Sequence, residues 1–161
     1  MRKFLLLVTF SFFELMCFAQ TSDAEAEAIV NLLGVQKKEA IAKLVQVPPK
    51  DSAAFWKLLT EYQKKSLPTN KARIHLYEKT AMSYRNMDAK TADSLAQQYF
   101  LNRMSQEKIL EEYYAKIKSA VNAVTAFEFY QAELYILNQV RTHIMQQIPT
   151  YSEFKMVTGK R

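Results

Sequence analysis

An all-α fold follows from three features of the sequence. Glycine is nearly absent, occurring only at Gly34 and Gly159. Long stretches rich in Ala, Leu, Lys, Glu and Gln contain no proline, and these residues favour helix. No run of β-branched alternation and no Asn-Gly or Asp-Gly hairpin signal interrupts them. The expected architecture is a bundle of about five helices built on a long antiparallel C-terminal hairpin.

The elements follow in order. Ser22-Asp23-Ala24-Glu25 has the spacing of a capping box, and Ile29, Leu32 and Leu33 share one face after it. Gly34 ends or bends this helix. Lys37 to Val45 continues it with Ala40, Ile41, Leu44 and Val45, until Val47-Pro48-Pro49 stops it. Proline lacks the amide donor and restrains the residue before it. A second helix starts near Pro49 to Asp51, with Phe55, Trp56, Leu59 and Tyr62 in register. Ser66-Leu67-Pro68 is expected to interrupt it. A third helix carries Ile74, Tyr77, Ala81 and Tyr84. Asn86-Met87-Asp88 reads as a turn, with Asp88 as the next N-cap.

The fourth helix is long, with Leu95, Tyr99, Ile109, Tyr113 and Ile117 on its stripe and a polar step at Asn102 or Arg103. Ser119 to Asn122 breaks it. The fifth shows Phe127, Tyr130, Leu134, Leu137, Arg141, Ile144 and Ile148 in the a/d rhythm, with one basic intruder. Pro149 ends it. Thr150 to Arg161 is expected to be a loose strap anchored by Tyr151 and Phe154.

Residues 1–19 read as an export signal. Arg2 and Lys3 precede an apolar run from Phe4 to Phe13, and Cys17 and Ala19 place small residues before a cut at Ala19/Gln20. Lipidation at Cys17 is the alternative, but Glu14-Leu15-Met16 lacks the small residues that cut requires. The domains expected are a signal over 1–19, a helical domain over 20–149 and a tail over 150–161. The location is then periplasmic or secreted. The apolar run is shorter than the roughly 20 residues a spanning helix needs, so no span is expected after cleavage. Losing Arg2, Lys3 and Glu14 leaves 20 basic and 15 acidic residues, a formal charge of +5. The single cysteine leaves too, and with it any disulfide, thiol nucleophile or thiolate metal site. The remaining cations are dispersed in pairs such as Lys37-Lys38 and Lys64-Lys65, which argues against a nucleic-acid partner.

Catalytic patterns are missing. His75 and His143 lack a Glu three residues earlier, where Ala72 and Val140 stand, so the paired Glu-x-x-His of di-iron bundles is absent. His-Glu-x-x-His is absent as well. His75 and Glu78 form a helical i, i+3 pair of the surface kind. Glu111 and Glu112 point about 100° apart on a helix and read as a solvated face. With glycines so placed there is no phosphate loop, and no serine sits in a nucleophile elbow. The expectation is therefore no enzyme, no cofactor, no metal and no catalytic residue.

Aromatic residues carry the remaining signal. Phe55, Trp56, Tyr62, Tyr77 and Tyr84, rimmed by Arg73 and Arg85 with Arg103 and Arg141 as further rim cations, make a candidate binding face. Core packing is the competing account of each aromatic.

Leu59-Thr60-x-x-Gln63 matches the Leu-Thr-x-x-Gln signature of the Spy and CpxP type of periplasmic proteins. There the threonine is expected to cap a helix start. Here Phe55, Leu59 and Tyr62 keep helical period through it, so Thr60 reads as mid-helix and the match as coincidence. A wider pattern resembles a family of small exported helical bacterial proteins: Phe55-Trp56 with Tyr62, Tyr113-Tyr114 with Lys116, Phe129 to Gln131, and Ile148-Pro149. That family is similar in size and address to the Spy and CpxP type. The resemblance implies chaperone-like or stress-associated capture of apolar segments, with a protein client. The alternative is a structural or regulatory subunit that uses the same face for a dedicated partner, possible homodimerisation included.

Overall fold

A computed structural model of the chain describes residues 36–159. The expected export signal, the capping box at Ser22 and the bend at Gly34 lie outside the described residues. Among the described residues every regular element is helical. Helix α1 covers residues 36–44 and buries Ile41, with Val45 just beyond it. The segment after it is tied across the bundle. The Gln46 amide donates to Glu128 Oε2 at 2.8 Å, and Thr125 Oγ1 donates to the Gln46 carbonyl at 3.3 Å. Pro49 then opens a 3-10 turn, Pro49–Asp51, where a missing amide leaves nothing unpaired.

Helix α2 runs Ser52–Ser83 without a break. The expected second and third helices are therefore one, and Pro68 stands inside it. Proline frees one carbonyl, that of Lys64. Lys64 and Pro68 both face solvent, so water can hydrate that carbonyl. Across the seam, Asn102 Nδ2 donates to the Thr69 carbonyl at 2.9 Å while its Oδ1 accepts from Arg73 Nε at 2.5 Å. The polar step expected near Asn102 thus clamps the turn after the proline. Buried Phe55, Leu59 and Tyr62 before it, and Leu76 after it, keep both segments on the core side of one helix.

A 3-10 turn, Tyr84–Asn86, closes α2. Asp88 caps helix α3 (Ala89–Ala120), accepting from the Thr91 amide at 2.7 Å. Asn122 caps helix α4 (Ala123–Gln147), accepting from the Thr125 amide at 2.9 Å. The two long helices form the expected hairpin, linked through Val121 and Asn122. The tail differs from expectation. Tyr151–Thr158 is a helix, α5, with a complete capping box between Thr150 and Glu153 and a left-handed Gly159 after it. Thr150-x-x-Glu153 has the spacing that signals such a start. The two anchors hold: Tyr151 and Phe154 each pack on Tyr84 at 5.5 Å between ring centroids.

The core lies toward the α3–α4 turn. Phe55, Leu59 and Tyr62 meet Leu110, Tyr113 and Ile117 of α3 and Ala126, Phe129 and Ala132 of α4, with Ile41 of α1 against them. Phe129 receives both Phe55 and Tyr62 edge-on, at 6.5 and 5.4 Å, the arrangement ring quadrupoles prefer. Beyond Tyr62 and Ala132 the apolar faces of α2 and α4 no longer close on each other, and a groove opens there.

Candidate functional site

The groove has a volume of about 820 Å³. Its walls are α2 from Thr60 to Tyr77 and α4 from Tyr130 to Ile144. Asn102 to Glu107 of α3 lie between them, and Lys37 and Lys38 of α1 close one end. Helical period puts Leu67 and Ile74 on one wall and Leu134, Leu137 and Ile144 on the other. All five are only half-buried, whereas Phe129, one residue off that row and nearer the α3–α4 turn, is buried completely. The rim is basic. Lys64, Arg73, Arg103 and Arg141 line it, against one carboxylate, Glu107.

At the base of the groove sits a buried polar network. Glu133 is fully enclosed, and its Oε1 accepts from both Lys37 Nζ and the Tyr62 hydroxyl. Gln106 Nε2 donates to the Tyr62 oxygen at 3.1 Å. Lys37 Nζ also stands 5.0 Å from the centre of the Tyr62 ring. Four helices meet in this one cluster. Burial, and then the Glu133 carboxylate beside it, push the Tyr62 hydroxyl well above the usual tyrosine range. Tyr62 is therefore a neutral donor at any ordinary pH. Glu133 Oε2 has no hydrogen-bond partner among the described residues. The network holds Lys37 and the start of the described α1 against α2 and α4.

The sequence-predicted face does not form as one surface. Phe55 and Tyr62 have no exposed area, and Tyr84 is buried beneath Tyr151 and Phe154. Phe55 and Tyr62 are core instead, because the α2 stripe they occupy faces α3 and α4, and Tyr84, in the 3-10 turn after α2, is covered by α5. Trp56 is half-buried, edge-on to Phe55 at 5.1 Å, with Lys38 Nζ 5.8 Å from its ring centre. Tyr77 and Arg73 do line the groove, and both lie against Tyr99, at 5.9 and 5.6 Å. Arg85 is exposed in the 3-10 turn at the far end. Arg103 and Arg141 line the groove beside Arg73, and the structure adds Lys64, Leu137 and Ile144, which the sequence reading did not place on a binding face. The signal available was Arg141 inside the a/d seam of α4, a cation where a packed bundle would want an apolar residue.

Elsewhere, Thr60 is mid-helix, and its hydroxyl donates back to the Trp56 carbonyl at 2.9 Å rather than capping a helix start. His75 Nδ1 lies 3.2 Å from Glu78 Oε2, the i, i+3 pair of the sequence. Glu112 bridges Lys65 at 2.6 Å and Lys116 at 2.8 Å. Hydrogen bonds from Lys116 and Lys65 hold its carboxyl below the usual range. Among the described residues no group of three or more His, Cys, Asp or Glu is placed to hold a metal ion, and no helix is long and apolar enough to cross a membrane. Compared with known proteins, the chain matches no family model, no curated protein and no solved structure.

Proposed function

We propose that this is an exported, non-enzymatic binding protein of the cell envelope that captures apolar segments of other proteins, in a chaperone-like way, in the groove between α2 and α4. One observation supports this reading above the others: two rows of half-buried apolar side chains face an open groove whose rim is basic. A volume of about 820 Å³ is in the range of built ligand sites, and apolar walls with few polar groups are what such sites use. Capture is reversible because the walls bury area without a covalent or catalytic group. The test is light scattering by an unrelated unfolding protein, with the full chain added in equimolar amount. Suppressed scattering is expected, weaker in Leu137→Glu at unchanged melting temperature. A well-folded sample that leaves scattering unchanged would sink the reading.

A second reading rests on a separate surface. Phe100, Leu101 and Met104 of α3 are each more than half exposed and neighbour one another on the helix. Such a patch suits a dedicated partner or a second copy. Sedimentation of the native chain beside Leu101→Glu separates the cases: a larger native species that dissociates in the variant favours the homodimer.

A further inference from the structure

Building on the groove as the binding site, we propose that its preferred occupant is an acidic amphipathic helix of a partner protein. The shape argument comes first. Leu67 and Ile74 of α2, and Leu137 and Ile144 of α4, recur at heptad spacing on facing walls. Apolar rows at that spacing accept the side chains of another helix as knobs in holes. Nearer the α3–α4 turn, α1 lies against the same bundle and buries Ile41 in the core. Past Lys37 and Lys38 the groove continues. At 1.5 Å per residue its walls measure about 26 Å from Thr60 to Tyr77 and about 21 Å from Tyr130 to Ile144, so a helix of about 14 to 17 residues fits.

Charge selects among such helices. Lys37 is committed to Glu133. Lys38, Lys64, Arg73, Arg103 and Arg141 remain, and among the described residues none of the five is in an ion pair. Arg73 is held by a neutral amide, Asn102, and points into the rim already ordered. Five cations face Glu107 alone in the lining. A helix with carboxylates flanking its apolar stripe neutralises that rim. A basic helix meets like charge on both sides, which is how a groove rejects wrong partners.

Two synthetic 16-residue helical peptides test this, with the same leucine stripe and either Glu or Lys on the polar face. Fluorescence anisotropy is read with the full chain. The Glu peptide is expected to bind about tenfold tighter than the Lys peptide at low salt. The preference should shrink between about 0.1 and 1 M salt as the screening length falls. R103E/R141E should abolish the preference at unchanged melting temperature. Should that pair destabilise the fold, K64E alone, at an exposed position, should still reduce it. Equal binding of both peptides would overturn the charge argument and leave the capture reading standing. Binding of neither would overturn both. Binding of the Glu peptide only in D23N/E25Q/E27Q would also overturn the proposal, because it would assign the groove to the chain's own acidic residues.

Discussion

Glu133 is the residue on which the bundle's ordering turns. A carboxylate with no exposed surface is costly unless its charge is met, and Lys37 and Tyr62 meet it on one oxygen. Removing one partner is then worse than removing both. Glu133→Ala should cost about 3 to 5 kcal/mol, because it strands a buried ammonium. Lys37→Met with Glu133→Leu should recover most of that loss in urea unfolding, since apolar replacements of buried pairs are often neutral or better. Tyr62→Phe removes a donor and should cost about 1 to 3 kcal/mol. It should also change the alkaline limb. The Tyr62 hydroxyl sits above its ordinary value of 10.0 in the fold, so its contribution is complete below pH 10.0. It is lost as pH rises past that, where the unfolded chain releases the proton first. Melting temperatures above pH 10.0 should fall less steeply in Tyr62→Phe than in the native chain. None of this was legible at Glu133 itself. Its place four residues after Phe129 suits the edge of an apolar face as well as its centre, and only the packed neighbours decide between them.

Two elements show how context overrides local preference. Pro68 reads as a stop, yet α2 continues because apolar residues are buried on both sides of it and Asn102 secures the next turn. A proline in a helix interior costs about 3 kcal/mol through a lost hydrogen bond and a ring clash together, and the expected break weighed that cost without the burial on either side. Pro68→Ala should therefore raise stability by about 1 to 3 kcal/mol in thermal unfolding. A lower melting temperature would mean that the bend proline imposes is what seats Asn102 on Thr69. At the other end, the carboxyl of Glu153 is held below the usual range, first by the Thr150 amide and then by its hydroxyl. A lowered folded value means this support is present above the ordinary carboxylate range and is lost as pH falls through the folded value. Amide-exchange protection in the first turn of α5 should drop on acidification, and Glu153→Ala should show the low protection at every pH. Protection in the native chain that does not change with pH would count against the capping box.

Across the whole molecule, packing is uneven. The end nearest the α3–α4 turn is closed by interlocking rings, while the end beyond Tyr62 leaves apolar rows beside the groove. Substitutions at the two ends should separate into two classes. Phe129→Ala creates a cavity in the closed end and should cost about 3 to 5 kcal/mol in urea unfolding. Ile144→Ala, on a half-buried wall, should cost about 1 kcal/mol or less and act on binding instead. A large loss of stability at Ile144 would show that the open end is as tightly packed as the closed one.

Composition and periodicity alone determined the all-α class, the long C-terminal hairpin, the break before Ala123 and the cap at Asp88. Each of these is a local property: it depends on glycine scarcity, on which residues share a helix face, and on a side chain reaching its own first turn. The tertiary structure decided which faces meet. Whether Phe55, Tyr62 and Tyr84 are exposed anchors or core depends on the helices packed over them. So does the meeting of Lys37 with Glu133, 96 residues apart. The groove is of the same kind, since a row of leucines and isoleucines has identical spacing whether or not a neighbouring helix covers it. Burial is a property of the assembled bundle, and the intervals within one helix carry no record of it.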